Sequence, residues 1–195
     1  AFLAPSEATL PGGWRVRLRP LRQDDAGALA AYFRALSDRT RAMYAPHPFD
    51  AATAETICRA AGRDGTVRVL AGSGEAPEET IVGYFLLLLG AGPDDRARYA
   101  GRGVHLDGGR TASLAPSVAD AYQGRGVGSA LMRYTLAAAQ ALGRDEVILM
   151  GGVRADNARA IAFYAKHGFR RVGSFVTTCD NHDMMRTLAG HVGRR

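Results

Sequence analysis

The stretch from Ser113 to Leu142 constrains the chain most, because it reads as a strand, a glycine-punctuated turn and an amphipathic helix in direct succession. In Gln123-Gly124-Arg125-Gly126-Val127-Gly128, three glycines stand where the backbone must bend sharply. Beyond them, Val127, Ala130, Leu131, Tyr134, Ala138 and Leu142 recur at helical spacing. The pattern predicts a helix that starts inside the glycines. The first N–H groups of a helix have no internal partners and sit at the positive end of its dipole, so a glycine-rich approach lets an anionic group reach several donors together. A phosphate or pyrophosphate is the expected guest.

Spacing removes two common phosphate carriers. A Walker loop needs Gly-Lys followed by Ser or Thr, and this turn has no lysine; a dinucleotide fingerprint carries glycine where Ser129 stands. What remains is Gln-x-x-Gly-x-Gly, Gln123 to Gly128. Downstream, Val147-Ile148-Leu149-Met150 reads as a short buried strand, and Asp156 to His167 as a helix stopped by Gly168. There Asn157, Ala160, Tyr164, Gly168 and Phe169 form Asn-x-x-Ala-x-x-x-Tyr-x-x-x-Gly-Phe. Together the two motifs resemble those of the GCN5-related N-acetyltransferase (GNAT) superfamily. The resemblance is strongest over residues 111–176 and extends upstream only in the order of elements.

The resemblance implies a GNAT acyltransferase fold. This is an α/β fold with a mixed, mostly antiparallel sheet of six to seven strands flanked by helices, in which the family's strands four and five splay apart. It implies acetyl-CoA as co-substrate and no metal. Gln123, Gly124, Arg125, Gly126, Val127, Gly128 and Ser129 would cradle the pyrophosphate. Main-chain N–H near Val118 would polarise the thioester carbonyl, and Asn157 would hydrogen-bond the cofactor arm. Tyr164 matches the tyrosine that often protonates the leaving thiolate, and a neutral phenol with an ordinary pKa near 10 suits that task. For Asn157 and Tyr164, a helix start and ordinary core packing are the competing readings. Asp120 stands where the family often has proline, without an assigned role.

The remaining elements follow from periodicity. Trp14 to Leu21 alternates apolar and basic residues as a half-buried strand closed by Pro20. Asp24 or Asp25 can cap a helix through Leu36, and a second helix runs from about Thr53 to Ala61. Between them, Tyr44 to Phe49 is a proline-stiffened loop displaying Tyr44, His47 and Phe49, which the family position makes candidates for acceptor binding. Val67–Ala71 and Thr80–Leu89 read as paired strands around a polar turn, Gly72 to Glu79. Ala91 to Gly109 is a long polar connection with a candidate strand at Arg102–Leu106. Phe169–Val176 and His182–Leu188 close the chain as an antiparallel pair.

At 195 residues one domain covering the whole chain is expected. The longest apolar run, Tyr84 to Leu89, is too short to cross a bilayer, and no secretory leader is evident, so a cytoplasmic protein away from membranes is expected. The formal charge is +6, and Lys166 is the only lysine among 25 basic residues. These arginines are dispersed and not interleaved with aromatics, which argues against a nucleic-acid partner, while a basic field suits a polyphosphate cofactor. Cys58 and Cys179 have no metal-ligand or CxxC spacing. For the base, His47, His105, Asp107, Glu55, Asp180 and Asp183 stand equal, and a water chain would serve an amine of low pKa.

The leading expectation is direct transfer of acetyl from acetyl-CoA to a primary amine of a small molecule. Alternatives are a peptide or protein N-acetyltransferase, or a catalytically silent CoA-binding or sensor module. Retention of Asn157 and Tyr164 argues against silence. A homodimer is left open.

Overall fold

The computed structural model describes residues 3–44, 46–74 and 79–188. These fall into two compact units: one comprises the chain up to Leu87 with Ala115–Thr135, the other Leu88–Leu114 with the chain from Leu136.

In the first unit, β1 (Ser6–Thr9) pairs antiparallel with β2 (Arg15–Pro20), and β2 with β3 (Thr66–Ser73). The order continues through β4 (Thr80–Leu88) to β5 (Thr111–Val118). Val16 and Leu18 of β2 are buried while Arg15 and Arg17 are exposed, as alternation requires. Arg19 breaks the pattern. It is 5% exposed, and its guanidinium meets Asp25 at 2.7 and 2.8 Å and Glu79 at 2.6 and 2.9 Å. Asp25 therefore does not cap the next helix with its side chain. A short 3-10 turn, Gln23–Asp25, precedes α1 (Ala26–Ala35), and the Asp25 carboxylate accepts from Arg19 and from the Arg22 N–H.

Two more helices follow, α2 (Asp38–Ala42) and α3 (Ala51–Ala60), one more than periodicity indicates. Ala45 in the loop between them, and residues 75–78 of the expected Gly72–Glu79 turn, lie outside the described residues. The expected helix beyond the glycines is α5 (Val127–Ala141). Its first half packs on β4 at Gly83, where a Cβ would stand 2.6 Å from Leu131 Cδ1 and 3.2 Å from Val127 Cγ1. Only glycine lets helix and strand approach this closely.

In the second unit, β5 pairs in parallel with β6 (Glu146–Leu149). Next come β9 (Asp180–Thr187), then β7 (Val153–Arg154), with β8 (Arg170–Val176) also on β9. The parallel ladder covers Thr111–Leu114. Two residues on is Pro116, which has no N–H to continue it. Among the described residues the sheet has nine strands instead of six to seven. The additions are β1 and β7, too short or too polar to announce themselves.

Within the long connection, the segment before Gly101 is helical: α4 (Pro93–Ala100) has proline in its first turn, followed by Asp94 and Asp95, with Arg98 in its last. No strand forms at Arg102–Leu106, contrary to expectation. Leu106 is buried in a cluster with Ala91, Tyr99, Ile148 and Met185, and Val104 packs half-buried against it, without joining a ladder. Asp183 of β9 is fully buried and ion-paired with Arg98 at 3.1 Å and Arg102 at 2.7 Å, anchoring α4. The last helix is α6 (Ala158–Lys166).

Candidate active site

The glycine turn is built as an anion cradle requires. Gly124 has φ 78° and Gly126 φ 95°, both in the left-handed region, whereas Gly128 lies inside the first turn of α5. The Ala130 N–H already bonds the Gly126 carbonyl at 3.0 Å, so the N–H groups of Val127 and Gly128 precede the first hydrogen bond of the helix. Gln123 ties the turn to the strand before it by donating to the Val118 carbonyl at 3.0 Å. Arg125 is exposed, its guanidinium 5.3 Å from the Trp14 ring centroid and 5.9 Å from that of Tyr122. Gly126 is hemmed in by protein: a Cβ there would meet Pro11 Cδ at 2.9 Å. The N-terminal hairpin thus braces the turn, and a bulky residue at 126 would test that brace together with any phosphate contact.

Asp120 now has a role. Its carboxylate accepts from the Ser37 N–H at 3.0 Å, the Ser37 hydroxyl at 2.8 Å and the Thr40 hydroxyl at 2.7 Å, holding the start of α2 beside the glycine turn. Burial pushes its pKa up, but these hydrogen bonds outweigh that and leave it lowered.

Tyr44, His47 and Phe49 are brought together around Phe33 and Tyr84. Phe33 lies 4.7 Å from Phe49, 5.6 Å from His47 and 5.7 Å from Tyr84 between ring centroids, and Tyr44 lies 4.5 Å from Phe49. Arg41 staples the loop to α1 by donating to the carbonyls of Phe33 at 2.5 Å, Leu36 at 3.0 Å and Phe49 at 2.8 Å. His47 Nδ1 is 2.8 Å from the Pro48 carbonyl, which can only accept, so Nδ1 carries the proton. Burial lowers the His47 pKa, favouring the neutral ring, in which Nε2 accepts from the Tyr84 hydroxyl at 3.1 Å. Desolvation pushes the Tyr84 phenol up to about 12, so it keeps that proton. A second chain of bonds runs beside this one. Ser117 Oγ donates to the Tyr84 carbonyl at 3.2 Å, so Tyr32 donates to Ser117 at 2.8 Å.

Alongside this loop is a cavity of about 450 Å³, whose polar wall is His47, Asp50, Thr53, Thr56 and Arg68. Phe49 is 8% exposed and belongs to the packing, not to the cavity wall. Tyr84, Arg68 and Arg41 carry no local motif, and nothing in the sequence near them signals a site.

The second unit holds Asn157 and Tyr164. Asn157 is the N-cap of α6, its side-chain oxygen accepting from the Ala160 N–H at 3.1 Å. Tyr164 is 8% exposed between Phe163 and Phe169, at ring distances of 5.6 and 5.7 Å. Burial raises its pKa, so the phenol is protonated at neutral pH. Among the equal candidates for base, Asp183 is committed to its two arginines, Asp107 accepts from the Gly109 N–H at 2.7 Å, and Glu55, His105 and Asp180 are exposed. His47 is the one that lines the cavity.

A model of the acetyltransferase (GNAT) family matches residues 29–169. A comparison with curated proteins finds no match. Among solved structures, the GNAT domain of PAT from S. lividans has a TM-score of 0.73 at 22% identity, over 94% of this chain and 97% of that one. A putative acetyltransferase from Salmonella typhimurium, solved with its cofactor acetyl-CoA, has a TM-score of 0.64 at 18% identity, over 92% and 98%. Ribosomal-protein-alanine N-acetyltransferase from Brucella melitensis has a TM-score of 0.63 at 22% identity, over 88% and 99%.

Proposed function

Because the chain belongs to the acetyltransferase (GNAT) family and is thereby an acetyl-CoA-dependent N-acyltransferase, we propose that it acetylates the primary amine of a small molecule, the whole chain acting as one such domain. The observation that carries the small-molecule reading is the cavity of about 450 Å³ beside the Tyr44–Phe49 loop, a volume within the roughly 300–1,000 Å³ of small-ligand sites. Protein acetylation remains the second reading, favoured by the ribosomal-protein enzyme among the structural relatives.

The residues present fit acetyl-CoA. The left-handed glycines and the N–H groups of Val127 and Gly128 suit a pyrophosphate, Ser129 stands next in the same turn, and Arg125 adds a cation there. Gln123 would act by holding the turn on β5. Val118 would offer main chain to the carbonyl end, and the Asn157 side chain, besides capping α6, would meet the cofactor arm. Bound there, acetyl-CoA supplies an activated acetyl thioester. Tyr164, its phenol kept protonated by burial, would hold a proton for the departing sulfur. The rigid aromatic loop with Tyr44 and His47 would set the acceptor's position, Phe49 supporting it from within the core.

Thiol release measured over a panel of small amines and short peptides tests this. Turnover is expected with small amines. Tyr44→Ala and His47→Ala are expected to raise the acceptor's KM at least tenfold with less than a twofold change in that of acetyl-CoA. Turnover confined to peptides, or equal changes in both KM values, would overturn the reading.

A further inference from the structure

Arg68, on β3, has a side chain only 10% exposed, yet its pairing is incomplete. Nη1 and Nη2 meet the two oxygens of Asp64 at 3.1 and 2.8 Å, an end-on pair, while Nε is buried with no hydrogen-bond partner. A guanidinium has five donors in a planar fork; with Asp64 end-on and the Tyr84 hydroxyl also beside the group, Nε is the donor left for a second oxyanion. Buried donors left without partners are rare in folded proteins and mark places where a ligand or water completes the set. Arg68 lines the cavity of about 450 Å³.

A second feature of that wall acts in the same direction. The cavity is bordered by Asp50, Ala52 and Thr53, the N-terminus of the ten-residue α3, whose dipole favours an anion there. Asp50, however, lines the cavity as well. Its Oδ1 accepts the Thr53 N–H at 2.7 Å, which favours the ionised form. A bare anion in the cavity would face that carboxylate. A molecule carrying an ammonium as well as an oxyanion would set one charge against each, with apolar Pro46, Ile57 and Leu86 covering what lies between. Buried neutral, His47 adds no charge to the wall.

We infer that the acceptor is an amino acid or an amino-acid-like amine whose carboxylate is received by Arg68. The inference rests on the small-molecule acetyltransferase reading and deepens it, naming the class of acceptor for that site.

The test uses amino acids with one to five carbons between amine and carboxylate, each beside its own carboxamide. Two readouts are taken: acetyl transfer, and ligand-induced thermal shift in the absence of acetyl-CoA. For the wild type, at least one acid is expected to exceed its carboxamide tenfold or more in kcat/KM and to raise the melting temperature. Arg68→Gln is expected to remove that preference through KM, lowering kcat/KM for the acid at least tenfold. The carboxamide should lose less than the acid, so that the ratio between them collapses, and the KM of acetyl-CoA should stay within twofold. Asp64→Asn separates binding from scaffolding: if Arg68 only braces β3 against Asp64, the two variants behave alike, and the inference falls. It also falls if carboxamides serve as well as acids, or if no acid shifts the melting temperature. A thermal shift without transfer of acetyl to any amine would sink the acetyltransferase reading of the cavity alone, leaving Arg68 as an oxyanion site.

Discussion

At the scale of single residues, Tyr164 separates chemistry from packing. Phenylalanine keeps the ring between Phe163 and Phe169 and deletes only the hydroxyl, so Tyr164→Phe should leave the melting temperature and acetyl-CoA affinity nearly unchanged. General acid catalysis is typically worth about 10²–10⁴-fold, and a fall in single-turnover rate of that order is expected. The pH dependence has a definite sign. Burial raises this phenol above its ordinary value of 10.0, so its proton is retained through neutral and mildly alkaline pH. No alkaline decline traceable to Tyr164 should appear below pH 10 in the wild type. A wild-type single-turnover rate in the variant would return Tyr164 to the core. Residue-level legibility in the sequence was uneven. Tyr164 and the glycines sit in local motifs that any window reveals. The His47–Tyr84 bond joins positions 37 apart in the chain, and Arg68 looks like any basic residue on a strand. Such partnerships arise only from strand register, which no local pattern states.

Elements were legible where their reason is local. The strand, turn and helix from Ser113 onward follow from glycine placement and an apolar stripe, and both are observed. Helix α4 was not, because half of its residues are charged and what holds it lies far away: Arg98 reaches Asp183, 85 residues further on. The same distance explains the expected strand at Arg102–Leu106. Its apolar residues are satisfied by packing on Tyr99 and Ile148 without a ladder. Asp183 is the test of this anchor. Deleting one member of a buried ion pair strands the others, at a cost of about 3–5 kcal/mol. Asp183→Ala should therefore lose about that much in denaturant unfolding, with amide exchange in α4 rising before that in α5. Loss of less than 1 kcal/mol would show that Arg98 and Arg102 find water instead.

For the whole molecule, net charge is the property that acts at a distance. A chain of formal charge +6 meeting a polyanionic co-substrate gains from long-range attraction, and salt screens that attraction within about 10 Å at 0.1 M. The KM of acetyl-CoA should rise several-fold between low and physiological ionic strength, with the acceptor's KM moving less; equal sensitivity of both would overturn this expectation. Contacts in the first unit limit where the enzyme can be trimmed. The family match begins at residue 29, whereas Pro11 presses on Gly126 and Trp14 lies against Tyr122 and within reach of Arg125. A shortened chain drawn to the edges of the match would keep every motif residue and discard the hairpin that props up the cradle. Its defect would masquerade as weak cofactor affinity, although the cause would be a missing buttress.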